Sequence, residues 1–204
     1  YQKLQYAHTL REIRKIESEV SFVYYSTLAK LIRPELQFHS RHNRRTFRPM
    51  DASDVINGLL NYGYGILYTE VSKQLNLLGL DCYVGFYHAI HPSNFALVYD
   101  MIEPFRHLVD RSVLEIQAEI RKKDYAFSKE GIVVMTNELK MRYIRILSLV
   151  CSQKRDYKAK GGIRKKDGYQ SMEELTIVKM KCIELKEFIL HGIPIPELES
   201  KLHC

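Results

Sequence analysis

VINGLLNYGYGILYTEVSKQLNLLG, residues 55–79, is apolar nearly all the way round the helix it encodes. Val55, Ile56, Leu59, Leu60, Ile66, Leu67, Val71, Leu75 and Leu78 leave no broad polar face, the pattern of a helix buried on most sides. Asp51 or Ser53 is the expected N-cap and Gly79 the expected C-cap of a helix over Val55–Leu78. Gly58, Gly63 and Gly65 weaken helix propensity by about 1 kcal/mol each relative to alanine, so close packing against neighbours is expected there. Such a helix has to be surrounded. The fold class is therefore mostly α: a single compact helical domain over 1–204, helices around a central buried helix, with one or two short extended segments.

The flanking sequence supports that reading. Leu4, Leu10, Ile13, Ile16, Val20, Val23, Leu28 and Ile32 recur at helical spacing, and Pro34 ends the run by pushing its predecessor out of the α region. Residues 40–49, SRHNRRTFRP, read as a polar loop carrying Arg41, Arg44, Arg45 and Arg48. On the other side, residues 83–87 (YVGFY) are short, aromatic and β-prone, and predict a brief strand ending at His88. A helix follows over about 97–123, with Pro104 in its first turns or kinking it. Residues 124–135 are extended, and Thr136-Asn137 cap a helix running to about Cys151. The Lys/Arg-rich, glycine-paired stretch 154–168 reads as a mobile loop. Ser171 with Glu174 predicts a capping box opening the last helix, which ends near Gly192 before an extended tail at 193–196. There is no internal repeat.

Composition excludes several classes. With 204 residues, 46% hydrophobic and 27% charged, the chain is neither disordered, collagenous nor a coiled-coil rod. Only 10 Gly and 6 Pro disfavour a turn-rich β-sandwich. Cys82, Cys151, Cys182 and Cys204 contain no CxxC pair, against a zinc ribbon or a disulfide scaffold. No apolar run is long enough for a membrane span, and the opening YQKLQYAHTL lacks the order of a signal peptide. A cytoplasmic protein is expected. The chain opens without Met and in mid-pattern, which points to sequence upstream. Lys plus Arg number 31 against 24 acids, a net charge of +7 that hints at a polyanionic partner.

Four polar residues stand inside apolar stretches: Glu70 in ILYTEVSKQL, His88 after YVGFY, and Asp100 and Glu103 in ALVYDMIEPF. A carboxylate in an apolar stripe is costly unless paired, hydrogen-bonded or metal-bound. Two readings are open from the residues. The three acids and the imidazole converge on Mg²⁺ or Mn²⁺, or they are ordinary paired groups. Arg41, Arg44, Arg45 and Arg48, and Lys154, Arg155, Arg164, Lys165 and Lys166, are either phosphate contacts for DNA or solvated surface. Tyr62, Tyr64 and Tyr68 fit core packing better than a covalent nucleophile. No Gly-rich phosphate loop, HExxH or GxSxG is present.

The blocks NGLLNYGYGILYTEV (57–71), GFYH (85–88) and ALVYDMIEPFRHLVDRSVL (96–114), with the lead-in FHSRHNRRTFRPMDASDVIN (38–57), resemble the C-terminal catalytic domain of the CRISPR spacer-acquisition integrase. The resemblance covers nearly all of the chain, with the blocks in order. It implies a metal-dependent DNA integrase and endonuclease that inserts spacers into a repeat array by attack of a 3′-hydroxyl on a phosphodiester. It implies Glu70, His88 and Asp100 as ligands of Mg²⁺ or Mn²⁺, with Glu103 as a supporting catalytic acid. Asn57 is expected to cap or brace the Glu70 helix, and Arg106 to pair with a site carboxylate. The implied partners are double-stranded DNA, further copies in a homodimer or dimer of dimers, and the small ferredoxin-like CRISPR adaptation protein, with no membrane. The family's β-rich N-terminal domain is not legible here, so it is either absent or upstream of Tyr1. Two other readings remain: a non-catalytic basic DNA-binding subunit, and a metal-dependent nuclease outside CRISPR adaptation.

Overall fold

The computed structural model describes residues 2–41, 51–88, 95–158, 169–195 and 200–201. Its helices are α1 (Gln2–Gln5), α2 (Leu10–Leu31), α3 (Val55–Leu77), α4 (Ala96–Ile102), α5 (Arg106–Ile116), α6 (Asn137–Ser152) and α7 (Glu174–His191). Strands β1 (Tyr125–Phe127) and β2 (Val133–Met135) form an antiparallel hairpin. Strands β3 (Lys154–Lys158), β4 (Tyr169–Glu173) and β5 (Ser200–Lys201) form a second antiparallel sheet in the order β4-β3-β5. The fold is mostly α, as the 55–79 stretch requires. By proximity the chain divides into two compact units, Tyr1–Tyr62 with Val113–Tyr143, and Gly63–Ser112 with Ile144–Cys204.

In the first unit, the helix expected from Leu4 breaks after Gln5 and restarts at Leu10. Thr9 caps the restart: its Oγ1 accepts from Glu12 N–H at 3.2 Å, and Glu12 Oε2 accepts from Thr9 N–H at 2.9 Å. The buried face is Tyr25, Leu28 and Ile32, spaced three and four; Val20, Phe22 and Val23 stay exposed, so the expected stripe is turned largely outward. Beyond Leu31, Arg33 N–H donates to Gln117 Oε1 at 2.8 Å, and Gln117 Nε2 returns a bond to the Leu31 carbonyl at 2.9 Å. Asp54, rather than Asp51 or Ser53, caps α3: its Oδ1 accepts from Asn57 N–H at 2.8 Å. Val133 N–H donates to the Ala52 carbonyl at 2.8 Å, which brings β2 against the start of α3. A Cβ at Gly58 would lie 3.0 Å from Val133 Cγ1, so this glycine permits the approach.

In the second unit, α3 ends in a Schellman motif. Gly79 has φ +74°, Leu80 N–H reaches the Leu75 carbonyl at 3.0 Å, and Gly79 N–H reaches that of Asn76 at 3.0 Å. The single helix expected over 97–123 is broken at Pro104 by a 3₁₀ turn, Glu103–Phe105, between α4 and α5. Residues 154–158, assigned to a loop from composition, pair with 169–173 instead. Ser171 lies in β4 opposite Asp156 and cannot cap α7, whose N-cap is Glu173 without a side-chain bond. Gly192, φ 67°, ends α7 as expected. Arg155 Nε meets the buried Glu174 Oε1 at 3.1 Å, and the Tyr157 hydroxyl donates to Glu174 Oε2.

Asp124 ties β1 to α6 in the first unit. Its Oδ2 accepts from Arg121 N–H at 2.8 Å and meets Arg142 NH2 at 2.7 Å, while Thr136 N–H donates to its carbonyl at 2.9 Å. Burial pushes the carboxyl pKa up, but the Arg121 N–H and the Arg142 guanidinium outweigh burial and hold it below the ordinary value. A depressed folded pKa means stability present above about pH 4 and lost as pH falls through the folded value. Asp124→Asn should therefore cost about 1–3 kcal/mol at pH 7. Thermal unfolding at stepped pH should show the gap from the parent shrinking below about pH 4; a gap constant down to pH 2 would contradict the assignment.

Candidate functional site

Residues 83–87 form turns and bends instead of the expected strand, because a side chain takes up their backbone donors. Asp100 on α4 accepts from Phe86 N–H (2.6 Å) and Tyr87 N–H (3.0 Å) at Oδ2, and from His88 N–H (2.8 Å) at Oδ1. Leu97 N–H on α4 also donates to the Cys82 carbonyl at 3.0 Å, pinning the other end of the loop. Burial pushes the Asp100 pKa up, yet the hydrogen bonds from Tyr87, His88 and Phe86 outweigh it, and the carboxyl is held below its ordinary value. Asp100 is therefore an anion fixed by the loop it organises.

The fourth partner of Asp100 is the His88 ring, with Nδ1 2.6 Å from Oδ1. An ionised carboxylate only accepts, so Nδ1 carries the proton of this bond, and in the neutral ring the lone pair is then on Nε2. The Asp100 side chain has 0% exposure, whereas His88 has 36%, Glu70 31% and Glu103 32%. Glu70, on α3, accepts from Gln74 Nε2 at 2.9 Å and lies 3.7 Å from Lys73 Nζ. Glu103 pairs with Arg106 NH1 at 3.0 and 3.3 Å, the carboxylate partnership expected of that arginine. His88 also packs on Tyr99 (5.6 Å between centroids), which packs on Tyr68 (5.0 Å), two residues before Glu70.

The structure thus brings His88 and Asp100 together and leaves Glu70 and Glu103 half-exposed with partners of their own. Among the described residues no group of three or more His, Cys, Asp or Glu is gathered to hold a metal ion. By donor type, the carboxylates of Glu70 and Glu103 and the imidazole of His88 are groups that a hard divalent ion accepts. Asp100 already accepts at both oxygens, and its bond to the His88 ring is the one by which a carboxylate orients a metal-binding histidine. Tyr68 has its phenol pKa raised by burial and by Tyr99, which suits packing rather than nucleophilic attack. Burial likewise pushes the Cys151 thiol up to about 11 and Cys182 up to about 12, away from reactive thiolates.

Of the basic residues, Arg41 donates to Asn57 Oδ1 (3.0 Å) and Asn61 Oδ1 (2.7 Å), and Asn57 Nδ2 donates to Asp54 Oδ2 (2.7 Å) and the Ser40 carbonyl (2.9 Å). Asn57 braces the start of α3 as expected, and Arg41 is committed to the same buried network. Arg155 is committed to Glu174, whereas Lys154 is exposed. Arg44, Arg45, Arg48, Arg164, Lys165 and Lys166 lie outside the described residues. Among the described residues no helix is long and apolar enough to cross a membrane.

A family model for CRISPR associated protein Cas1 matches residues 1–148. The chain belongs to the Cas1 family. Among its relatives, CRISPR-associated endonuclease Cas1 1 of Archaeoglobus fulgidus is 34% identical over 124 residues, 60% of this chain and 36% of that protein. The protein of the same name from Francisella tularensis subsp. novicida is 30% identical over 129 residues, 63% of this chain and 39% of its own length. The chain thus spans well under half the length of these curated Cas1 relatives. A casposase solved with its integration product superposes with a TM-score of 0.80 at 27% identity, covering 92% of this chain and 50% of that one. A Cas1 protein from Thermotoga maritima shares the fold, with a TM-score of 0.69 at 20% identity over 93% of this chain and 57% of that one.

Sequence reasoning missed Gly85. A Cβ there would lie 2.7 Å from Asp100 Oδ2, 2.8 Å from Ala96 Cβ and 2.9 Å from the Ala96 carbonyl carbon. A glycine inside a β-prone aromatic run was the available signal for close approach. Gly85→Ala is expected to cost about 1–3 kcal/mol by overpacking and to displace His88. Thermal unfolding together with the His88 Nδ1–H resonance checks this; a parent-like melting point with an unmoved resonance would refute it.

Proposed function

We propose that this chain is the catalytic part of a divalent-metal-dependent DNA integrase and endonuclease that inserts short DNA into a CRISPR repeat array. The observation that carries the reading is the His88–Asp100 pair: an imidazole with a fixed tautomer and an available Nε2, in a chain of the Cas1 family. Glu70 and His88 are proposed to hold Mg²⁺ or Mn²⁺, Glu103 to support them, and Asp100 to orient His88 and fix its loop. When bound, the ion supplies Lewis-acid polarisation of the phosphodiester and a lower pKa for the attacking hydroxyl. The incoming 3′-hydroxyl gives up its proton as its oxygen bonds to phosphorus, the target P–O3′ bond breaks, and the departing 3′-oxygen takes up a proton. The likeness to a protein solved with its integration product favours strand joining over plain hydrolysis. Double-stranded DNA, further copies of the chain and the small ferredoxin-like protein are the proposed partners, in the prokaryotic cytoplasm; Cas2 fits the last, since a Cas6-RT-Cas1–Cas2 complex superposes on 94% of this chain with a TM-score of 0.75.

Strand transfer into a supercoiled repeat-bearing plasmid, with Mn²⁺ or Mg²⁺ and with and without Cas2, tests the reading. His88→Ala should lower the rate by at least about 100-fold, as loss of a ligand or its orientation does. Full activity in His88→Ala would falsify the site, and equal rates on random DNA would remove the CRISPR array as the target. For DNA contact, we propose Arg44, Arg45, Arg48, Lys154, Arg164, Lys165 and Lys166, with Arg41 and Arg155 as internal supports. Arg44→Ala/Arg45→Ala should flatten the slope of log affinity against log salt by about 2, at about 0.9 per phosphate contact. An unchanged slope would take that segment off the DNA.

A further inference from the structure

Glu103 is held by more than its ion pair. Its partner Arg106 has its guanidinium carbon 4.6 Å from the centroid of the Tyr64 ring, stacked over the aromatic face. Tyr64 lies on α3, and its hydroxyl donates to Oδ1 of the buried Asp110 on α5. Arg106 and Asp110 are one helical turn apart on α5, so the ring is fixed at its edge by one residue while its face supports the other. Three elements therefore meet in one chain of contacts: the 3₁₀ turn carrying Glu103, the first turn of α5, and α3, which also carries Glu70 six residues beyond Tyr64.

We infer that Tyr64 is a positioning residue for Glu103, acting through the Arg106 guanidinium that its ring supports. The inference rests on the proposed role of Glu103 in the reaction. An arginine side chain has several rotatable bonds and holds a carboxylate in one place only if something holds the arginine. The planar guanidinium over a tyrosine face supplies that, through cation–π attraction and stacking. The Asp110 bond keeps the phenol from rotating out of register. Size and apolarity alone would make Tyr64 one more core side chain; the cation on its face makes the ring part of the support for Glu103.

The test compares Tyr64→Phe with Tyr64→Leu in the full-length protein. Both lose the hydroxyl and leave Asp110 with the same lost partner, so their difference reports the ring alone. Tyr64→Phe should stay within about threefold of the parent in strand-transfer kcat, and Tyr64→Leu should fall about tenfold below Tyr64→Phe, with the KM for DNA the same in both. In a Glu103→Gln background the difference between the two should vanish. Independently of activity, the Arg106 Nε–H resonance should be ring-shifted in the parent and in Tyr64→Phe, and should lose that ring shift in Tyr64→Leu. Equal kcat values for Phe and Leu, or a difference that persists with Glu103→Gln, would overturn the inference. If Glu103→Gln itself is fully active while His88→Ala is dead, Glu103 has no part in the reaction, and the inference falls while the site reading stands.

Discussion

A carboxylate with no exposed surface stays ionised only when donors replace the water it has lost. Asp100 meets that condition with three successive backbone N–H groups and an imidazole. The exchange runs both ways. The carboxylate takes the hydrogen bonds that would otherwise have placed residues 86–88 in a sheet, and in return the loop holds the His88 ring with its protonated nitrogen turned inward. The placement of the His88 ring follows from that exchange, as does the bend found at 86–88 where composition predicts a strand ending.

The second constraint is the length of α3. Its first turn is held by Asp54, Asn57 and Arg41, and its last by the Schellman glycine at 79. Between these ends the same helix carries Asn61, Tyr64, Tyr68 and Glu70. A helix capped at both ends transmits little fraying to its middle, where Glu70 lies. The aromatic contacts from Tyr68 to Tyr99 and from Tyr99 to His88 run beside that stretch. In a Cas1 family member, the apolar stretch that decides the fold and the stretch that bears the first site acid are one element.

Much of this was legible in the sequence. The periodicity of 55–79, the breaker at Pro104, the cap at Thr136, the glycine at 192 and the polar intrusions at 70, 88, 100 and 103 were all visible as local patterns. What was not legible depends on partners far apart in sequence. Asp54 won the cap from Asp51 and Ser53 because its side chain also accepts from the Asn57 amide that Arg41 engages. Ser171 lost its cap because strand pairing with Asp156 claimed it. Arg41 and Arg155 counted as phosphate contacts on charge alone, and each turned inward to buried polar groups that composition cannot show. Asp100 is a ligand by motif; that it also accepts from three backbone N–H groups and an imidazole is a tertiary fact.

Cys82 sits at the start of the loop that ends in His88. Its buried thiol faces the α3 residues Ser72 and Asn76, 3.8 and 3.6 Å away. The same residue thus holds the base of the loop on both sides, its carbonyl bound by Leu97 N–H of α4 and its thiol packed on α3. Reaction of Cys82 with a thiol reagent, resolved from Cys151 and Cys182, therefore reads how often the base of that loop lifts off α3, with no label added.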